Sequence, residues 1–430
     1  MEEVDAAKSY INLAKTHQTS GDLEQAKEYQ QRALAIYLDE LGPEHETIAR
    51  SYHSLASICR DLGDLEQAKE YQERALAIYL KTLGPEHVNT ARSYDGLATI
   101  YQGLGDLQPA MVNQQRALAI YLDKPGPERD PVASSYDSLA SICRELGDLE
   151  LAMEYQNYAL AINLETRGRE HVNTARSYDS FATIYQDFGD FRLAMESQQR
   201  ALAIYLNTLG PEHETIARSY HSLASICRGL GDLEQAKKYQ ERALAIYLKT
   251  RGPEHVNTAR SYDSLATIYQ DFGDFLRAMD YHQRALEIYL KTLGPEHETI
   301  ARSYHSLASI CRGLGDLEQA KKYQERALEI YLKTLGSEHE TIARSYHWLA
   351  SICRGLGDLE QAKEYQERAL AIYLKTRGPK YVNTARSYDS LATMYQDFDD
   401  FRRAIEYQQR TPEIYKVNTS SFFFAFSKTG

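Results

Sequence analysis

The sequence predicts an all-α fold, a right-handed α-solenoid of ten tandem helix-turn-helix repeats, and three observations predict it. Tyr10, Tyr52, Tyr94, Tyr136, Tyr178, Tyr220, Tyr262, Tyr304, Tyr346 and Tyr388 follow one another at an unbroken spacing of 42 residues. A glycine stands eleven residues after each of them, from Gly21 to Gly357, with Asp399 in its place in the last unit. Between these marks the apolar residues fall twice per unit at helical spacing. A fixed period of this length marks a stacked repeat array, in which no unit buries its apolar face alone.

The elements follow in order within one unit. Tyr52, Leu55, Ala56, Cys59 and Leu62 mark the apolar side of a first helix. Gly63 ends it, because the turn after a helix needs the left-handed backbone that glycine adopts freely. Asp64 caps the second helix, and Gln67 three residues on fits a capping box. Leu65, Ala68, Tyr71, Ala75, Leu76, Ile78 and Tyr79 line that helix, and Gly84-Pro85 stops it. At 1.5 Å per residue it is roughly 28 Å long. The small residues Ala56, Ala68 and Ala75 let the helices approach while Tyr and Leu fill the gaps. Pro109 falls in the first turn of its helix, where proline is tolerated.

Tyr52, Leu55, Ala56, Gly63, Ala68 and Ala75 together resemble the tetratricopeptide repeat signature, and the likeness runs from residue 7 to about residue 416. The 42-residue period, the long second helix and the Leu-Gly-Pro-Glu-His linker at 41–45 and 293–297 resemble the kinesin light chain subfamily. That resemblance implies a concave groove, lined by the first helix of each unit, that binds short peptides for cargo and adaptor recognition. The chain lacks the subfamily's coiled-coil heptads. It also departs from it at His53, Asp95 and their equivalents, where the subfamily carries Asn.

Composition narrows the function. The net charge is −12, which argues against a nucleic-acid partner, since phosphate binding needs a basic surface. No stretch reaches the roughly 20 apolar residues of a membrane helix, and the acidic N-terminus has no apolar core of a secretory signal. Cys59, Cys143, Cys227, Cys311 and Cys353 repeat one position of the unit, which reads as reduced core thiols of a cytoplasmic protein. His45-Glu46 lacks the second His of a zinc-protease helix, and Gly103-Leu104-Gly105 lacks the third Gly of a dinucleotide loop. No P-loop, nucleophile elbow or Cys-His pair occurs, so no enzyme, cofactor, metal or small-molecule substrate is expected. The linker histidines His45, His87, His171, His213, His255, His297 and His339 read as structural contacts at helix starts.

The units alternate. Those at Tyr52, Tyr220 and Tyr304 read Tyr-His-Ser-Leu-Ala-Ser-Ile-Cys-Arg, and those at Tyr94, Tyr178, Tyr262 and Tyr388 carry Tyr-Asp and Tyr-Gln in the matching places, which points to duplication of an 84-residue pair. The alternation breaks once, where the Tyr304 and Tyr346 units are both of the Cys-Arg kind. This pair is the principal candidate peptide site: Arg302, His305, Arg312, Arg344, His347, Trp348 and Arg354, with Trp348 replacing the Ser of most units. Arg50, His53, Arg60, Arg218, His221 and Arg228 repeat parts of the pattern. Arginine takes carboxylates bidentately, so acidic or aromatic-acidic linear motifs of other proteins are the expected ligands. The competing expectation for these arginines is pairing with neighbouring Asp as a solvated face. The expected function is a non-catalytic scaffold or adaptor; the alternative is a sensor or oligomerisation array cut from a larger signalling protein with a nucleotide-binding switch domain. The solenoid is expected over residues 1–416, with an irregular tail at 417–430 holding Ser421-Phe422-Phe423-Phe424-Ala425-Phe426, and Pro412 is expected to break the last helix.

Overall fold

A computed structural model describes residues 2–123, 130–379 and 381–411. These residues form nineteen bounded helices of 16 to 19 residues and a further helical run over 401–411, with no strand among them. They group into two compact units, 1–211 and 212–430. In each unit consecutive helices pack in pairs, the first helix of a repeat against its second, and the second against the first helix of the next repeat. In the first unit the helices Glu46–Asp61, Val88–Leu104, Asp130–Leu146 and Val172–Asp187 also touch in series, so the first helices form one continuous face.

The caps explain why the helices begin and end where they do. Gly63 takes φ +84° and its N–H donates to the Arg60 carbonyl at 3.0 Å, while Asp64 N–H reaches back to Cys59 at 2.9 Å. Two orphan carbonyls of the first helix are thereby satisfied. Asp64 Oδ1 then accepts from the Gln67 backbone at 3.3 Å. The capping box is only half made, because the Gln67 side chain donates to Glu70 Oε2 at 2.8 Å instead of reaching back to the cap. The linker histidines are caps as well: Nδ1 of His45, His87, His171, His255 and His297 accepts from the backbone N–H two residues on at 3.1 Å. Asp399, standing where the other repeats have glycine, adopts φ 60°.

The core is built from the repeating alanines and a few large residues. Ala56 is 1% exposed, and Ala68 and Ala75 are fully buried. In the second unit Leu286, Ile288, Tyr289, Ile300, Leu307, Leu328, Ile330, Tyr331, Ile342 and Leu349 form one cluster that runs across three repeats. The marker tyrosine of the first helix stacks on a tyrosine of the second, as Tyr52 does on Tyr71 with centroids 5.9 Å apart and Arg74 over the Tyr52 ring. All five cysteines are buried and free. Burial pushes the Cys143, Cys227 and Cys353 thiols up to about 11, which makes them poor nucleophiles. Pro109 is the third residue of its helix, Leu107–Asp123. Thr411 is helical and buried; Pro412 and the phenylalanine-rich tail lie outside the described residues.

Each repeat meets only its neighbours, so damage stays local. Leu307→Asp places an unpaired carboxylate in a fully buried position and should lower the local opening free energy of residues 298–335 by roughly 3 kcal/mol or more, read as lost amide protection there by hydrogen exchange. Wild-type protection at those amides would contradict it. Asp399→Gly relieves the left-handed backbone and should stabilise the last repeat by about 1 kcal/mol, read in denaturant melts.

Candidate functional site

A buried amide row, which the sequence pattern did not single out, runs along the second helices and faces the first. Gln72, Gln114, Gln156, Gln198, Gln240, Gln324 and Gln366 recur on the second helices and are buried. Each reaches the residue just after the marker tyrosine. Where that residue is Asp, the amide nitrogen donates: Gln114 to Asp95 at 2.7 Å, Gln156 to Asp137 at 2.7 Å, Gln198 to Asp179 at 2.6 Å. Where it is His, Nδ1 donates to the amide oxygen: His53 to Gln72 at 3.0 Å, His305 to Gln324 at 2.8 Å, His347 to Gln366 at 2.8 Å. An amide has both a donor and an acceptor, so one residue serves both repeat types. The 42-residue recurrence of Gln was the available signal. His282 stands in the same row and takes Asp263 at 2.8 Å.

These contacts fix the candidate residues. His53, His221 and His305 are half-buried, and burial pushes each imidazole below the ordinary histidine range, against the hydrogen bond it donates to its glutamine; Arg344 and Arg312 add to the effect at His305. The imidazoles therefore work as neutral donors. Burial conversely pushes the Asp137 carboxyl up to about 6, against the Gln156 hydrogen bond and the charge of Arg176.

The arginines fall into two classes. Those preceding the marker tyrosine by two, among them Arg50, Arg218, Arg302 and Arg344, are exposed and make no ion pair with any described carboxylate. Arg218 and Arg260 line a concavity of about 480 Å³ with His221 and Tyr247, and Arg50 lines one of about 530 Å³ with Lys8, Asn12 and Tyr37. Arg302 and Arg344 flank Tyr331, whose hydroxyl burial and Glu298 push up and both arginines pull down. The second stripe, near the C-terminal end of the first helix, is mostly neutralised. Arg144 pairs with Asp187 at 3.2 Å, Arg228 with Asp271 at 2.5 Å and Arg354 with Asp397 at 2.7 Å, each 43 residues on in the next repeat. Arg60 pairs instead with Asp61 at 3.0 Å. Pairing with Asp therefore holds for these four. Such half-exposed pairs contribute on the order of 0–1 kcal/mol each and act mainly by fixing the side chains.

Arg312 is the exception. Its guanidinium lies 4.1 Å from the Trp348 ring centroid and makes no ion pair among the described residues. Trp348 also meets His305 edge-on, with centroids 5.0 Å apart and planes at 87°. The helices Glu298–Gly313 and Glu340–Leu356 thus bring His305, Arg312 and Trp348 into one cluster, while Arg354 turns away to Asp397. Trp348 is partly exposed, so its ring packs on the neighbouring repeat and still faces solvent.

A stack of helix pairs whose first helices present a polar, arginine-bearing face defines a helical repeat protein built for surface recognition. The chain belongs to the tetratricopeptide repeat family, whose pattern matches residues 5–81, 48–123, 131–207, 194–249, 215–291, 265–333 and 341–416. It is similar to the nearly identical TPR-like repeats assigned to a kinesin light chain of Podospora anserina, with 33% identity, 48% of this chain and 99% of that one covered, and a TM-score of 0.44. It is also similar to BtubC of P. vanneervenii, at 22% identity, 57% and 92% coverage and a TM-score of 0.46. The quorum sensor NprR of B. thuringiensis shares the fold at 16% identity over 83% of this chain and 99% of that one, with a TM-score of 0.57. No curated protein matches the chain. No described helix is long and apolar enough to cross a membrane.

The raised carboxyl of Asp137 gives a pH signature. Its folded pKa lies above the unfolded value near 3.9, so its stabilising contribution is present at low pH and lost as pH rises through about 6. Asp137→Asn keeps an acceptor for Gln156 without the charge. Its stability advantage over wild type should grow from nearly nothing at about pH 4 to about 3 kcal/mol at pH 8, measured by denaturant melts. A constant difference across that range would contradict the burial of the charge.

Proposed function

We propose that this chain is a non-catalytic, cytoplasmic scaffold that binds short linear peptides of other proteins on the face of its first helices, and that the preferred peptides are acidic or aromatic-acidic. The unbroken 42-residue period supports reading the ten repeats over 1–416 as one solenoid scaffold. The single observation that carries the ligand class is Arg312, which lacks an ion-pair partner among the described residues and lies over a partly exposed Trp348, on a face where Arg302 and Arg344 are likewise exposed and without an ion pair among the described residues. An unneutralised guanidinium beside an aromatic ring favours a ligand that brings a carboxylate and an apolar surface together. Arg50 and Arg218 offer weaker versions of the same chemistry in their own units. His53, His221 and His305, held by glutamine and kept neutral by burial, supply rigid walls rather than charge, and Gln366 holds His347 in the same way.

A peptide-display selection on the intact chain, run beside a Trp348→Ala, Arg344→Glu double variant, tests the reading. Acidic-aromatic peptides should enrich on wild type and fall by about 100-fold in retention on the variant, the loss expected when an aromatic anchor and an arginine are both removed. Equal enrichment on both, or none on either, would remove the first-helix face as the binding surface.

A further inference from the structure

Five arginines occupy the second stripe, and four have a carboxylate. Arg144, Arg228 and Arg354 take theirs from Asp187, Asp271 and Asp397 in the following repeat, and Arg60 takes Asp61 beside it. For Arg312 both places are glycine: Gly313 follows it directly, and Gly355 stands 43 positions on, where the three cross-repeat partners are Asp. The guanidinium rests instead on Trp348. A cation over an indole is attracted by the ring quadrupole but keeps its N–H edge free for a carboxylate.

Building on the groove reading above, we propose that Gly355 is the residue that opens this site, and that the carboxylate of an acidic peptide side chain takes, against Arg312, the place an Asp side chain takes in the other repeats. The array itself supplies the template. Three of its repeats hold this arginine through an aspartate from the adjacent first helix, and the Tyr304 repeat presents the same arginine with that aspartate absent. Gly355 lies within the helix Glu340–Leu356 with no left-handed backbone to require glycine. A Cβ added there would meet only the tip of the Leu317 side chain, at 2.9 Å. Asp187, Asp271 and Asp397 likewise follow a leucine 38 positions earlier, Leu149, Leu233 and Leu359, as Gly355 follows Leu317. An aspartate can therefore be housed at 355, and its absence leaves an arginine available. Gly355 acts as the specificity-determining residue: it selects a ligand carboxylate by withholding the internal one.

Trp348 is the chain's one tryptophan, so its emission reports on the site directly. The full chain is titrated with N-acetylated hexaglutamate, with N-acetylated hexaserine as the uncharged comparison. Hexaglutamate should change the wild-type emission and hexaserine should not. Gly355→Asp should restore the internal pair and weaken hexaglutamate binding about 10-fold or more, the worth of one charge-assisted hydrogen bond. Gly355→Asn, of equal size and no charge, should lose far less. Arg312→Gln, which leaves position 355 untouched, should lose as much as Gly355→Asp, and circular dichroism melts check that each variant folds. Binding by Gly355→Asp as tight as wild type would overturn the inference, as would an equal loss in Gly355→Asn. If the display selection drops acidic peptides on the Trp348→Ala, Arg344→Glu variant but keeps them on Gly355→Asp, the groove reading stands and this inference falls. If wild type responds to neither hexaglutamate nor the display library, both fall together.

Discussion

The constraint on which the face of this protein depends is the offset between neighbouring first helices. A side chain there meets the residue 43 positions on, one repeat and one residue further along. Arg144 meets Asp187, Arg228 meets Asp271, Arg354 meets Asp397, and His305 meets Trp348 by that same step. The offset itself comes from the core. Fully buried alanines such as Ala68 and Ala75 set the distance between helices, and glycines with positive φ such as Gly63 and Gly231 set the turn between them. Because no residue is inserted or deleted between Tyr10 and Tyr388, each unit inherits the same geometry and differs only in what the side chains bring to it. Surface chemistry then changes without disturbing the scaffold, since the array's stability resides in the repeat and its interfaces.

The buried glutamine row makes that freedom possible at the position most altered between repeats. An Asp beside a buried apolar or acceptor group would be destabilised, and so would a His beside a fixed donor. Gln72 and its equivalents turn the oxygen to His and the nitrogen to Asp, so His and Asp can both stand along the face, at the cost of leaving the other amide atom of Gln114, Gln156, Gln324 and Gln366 buried without a partner. His282 shows the limit of this tolerance: an imidazole replaces the amide only opposite Asp263, which can accept its proton.

Much of the fold was legible in the sequence because it rests on single-residue requirements repeated ten times. Gly63, Asp64 and the histidine at 45 or 87 each perform a local task that their chemistry dictates, and the structure places them at the helix ends as expected. The capping box was over-read because Glu70 competes for the Gln67 side chain, a contact between neighbours on one helix face. The face was legible only in part. The arginine stripes could be counted, but which members are neutralised depends on an offset between helices that the sequence does not print. Arg354 looked as open as Arg312 until Asp397 was found beside it. The glutamine row was missed because a polar residue on a second helix reads as solvent-facing, whereas Gln240 and Gln366 are fully buried.

The break in the alternation gains a physical meaning from this offset. Two consecutive repeats of the Cys-Arg kind bring Arg312 opposite Gly355, where the Asp-type neighbours that follow Arg228 and Arg354 bring Asp271 and Asp397, although the Asp-type unit after Arg60 has Gly103 in that place. The Ser-to-Trp change at 348 falls on the same pair of helices and gives the unpaired guanidinium an aromatic surface instead of a carboxylate. A change in repeat order and a single substitution thus give, in place of a self-neutralised stretch of face, one with residual positive charge and a partly exposed ring. That happens on a chain whose net charge is −12, so the guanidinium of Arg312 is a local positive charge within an overall field of the opposite sign. Screening at physiological ionic strength confines each effect to about 8 Å, which lets a local cationic site work on an acidic molecule.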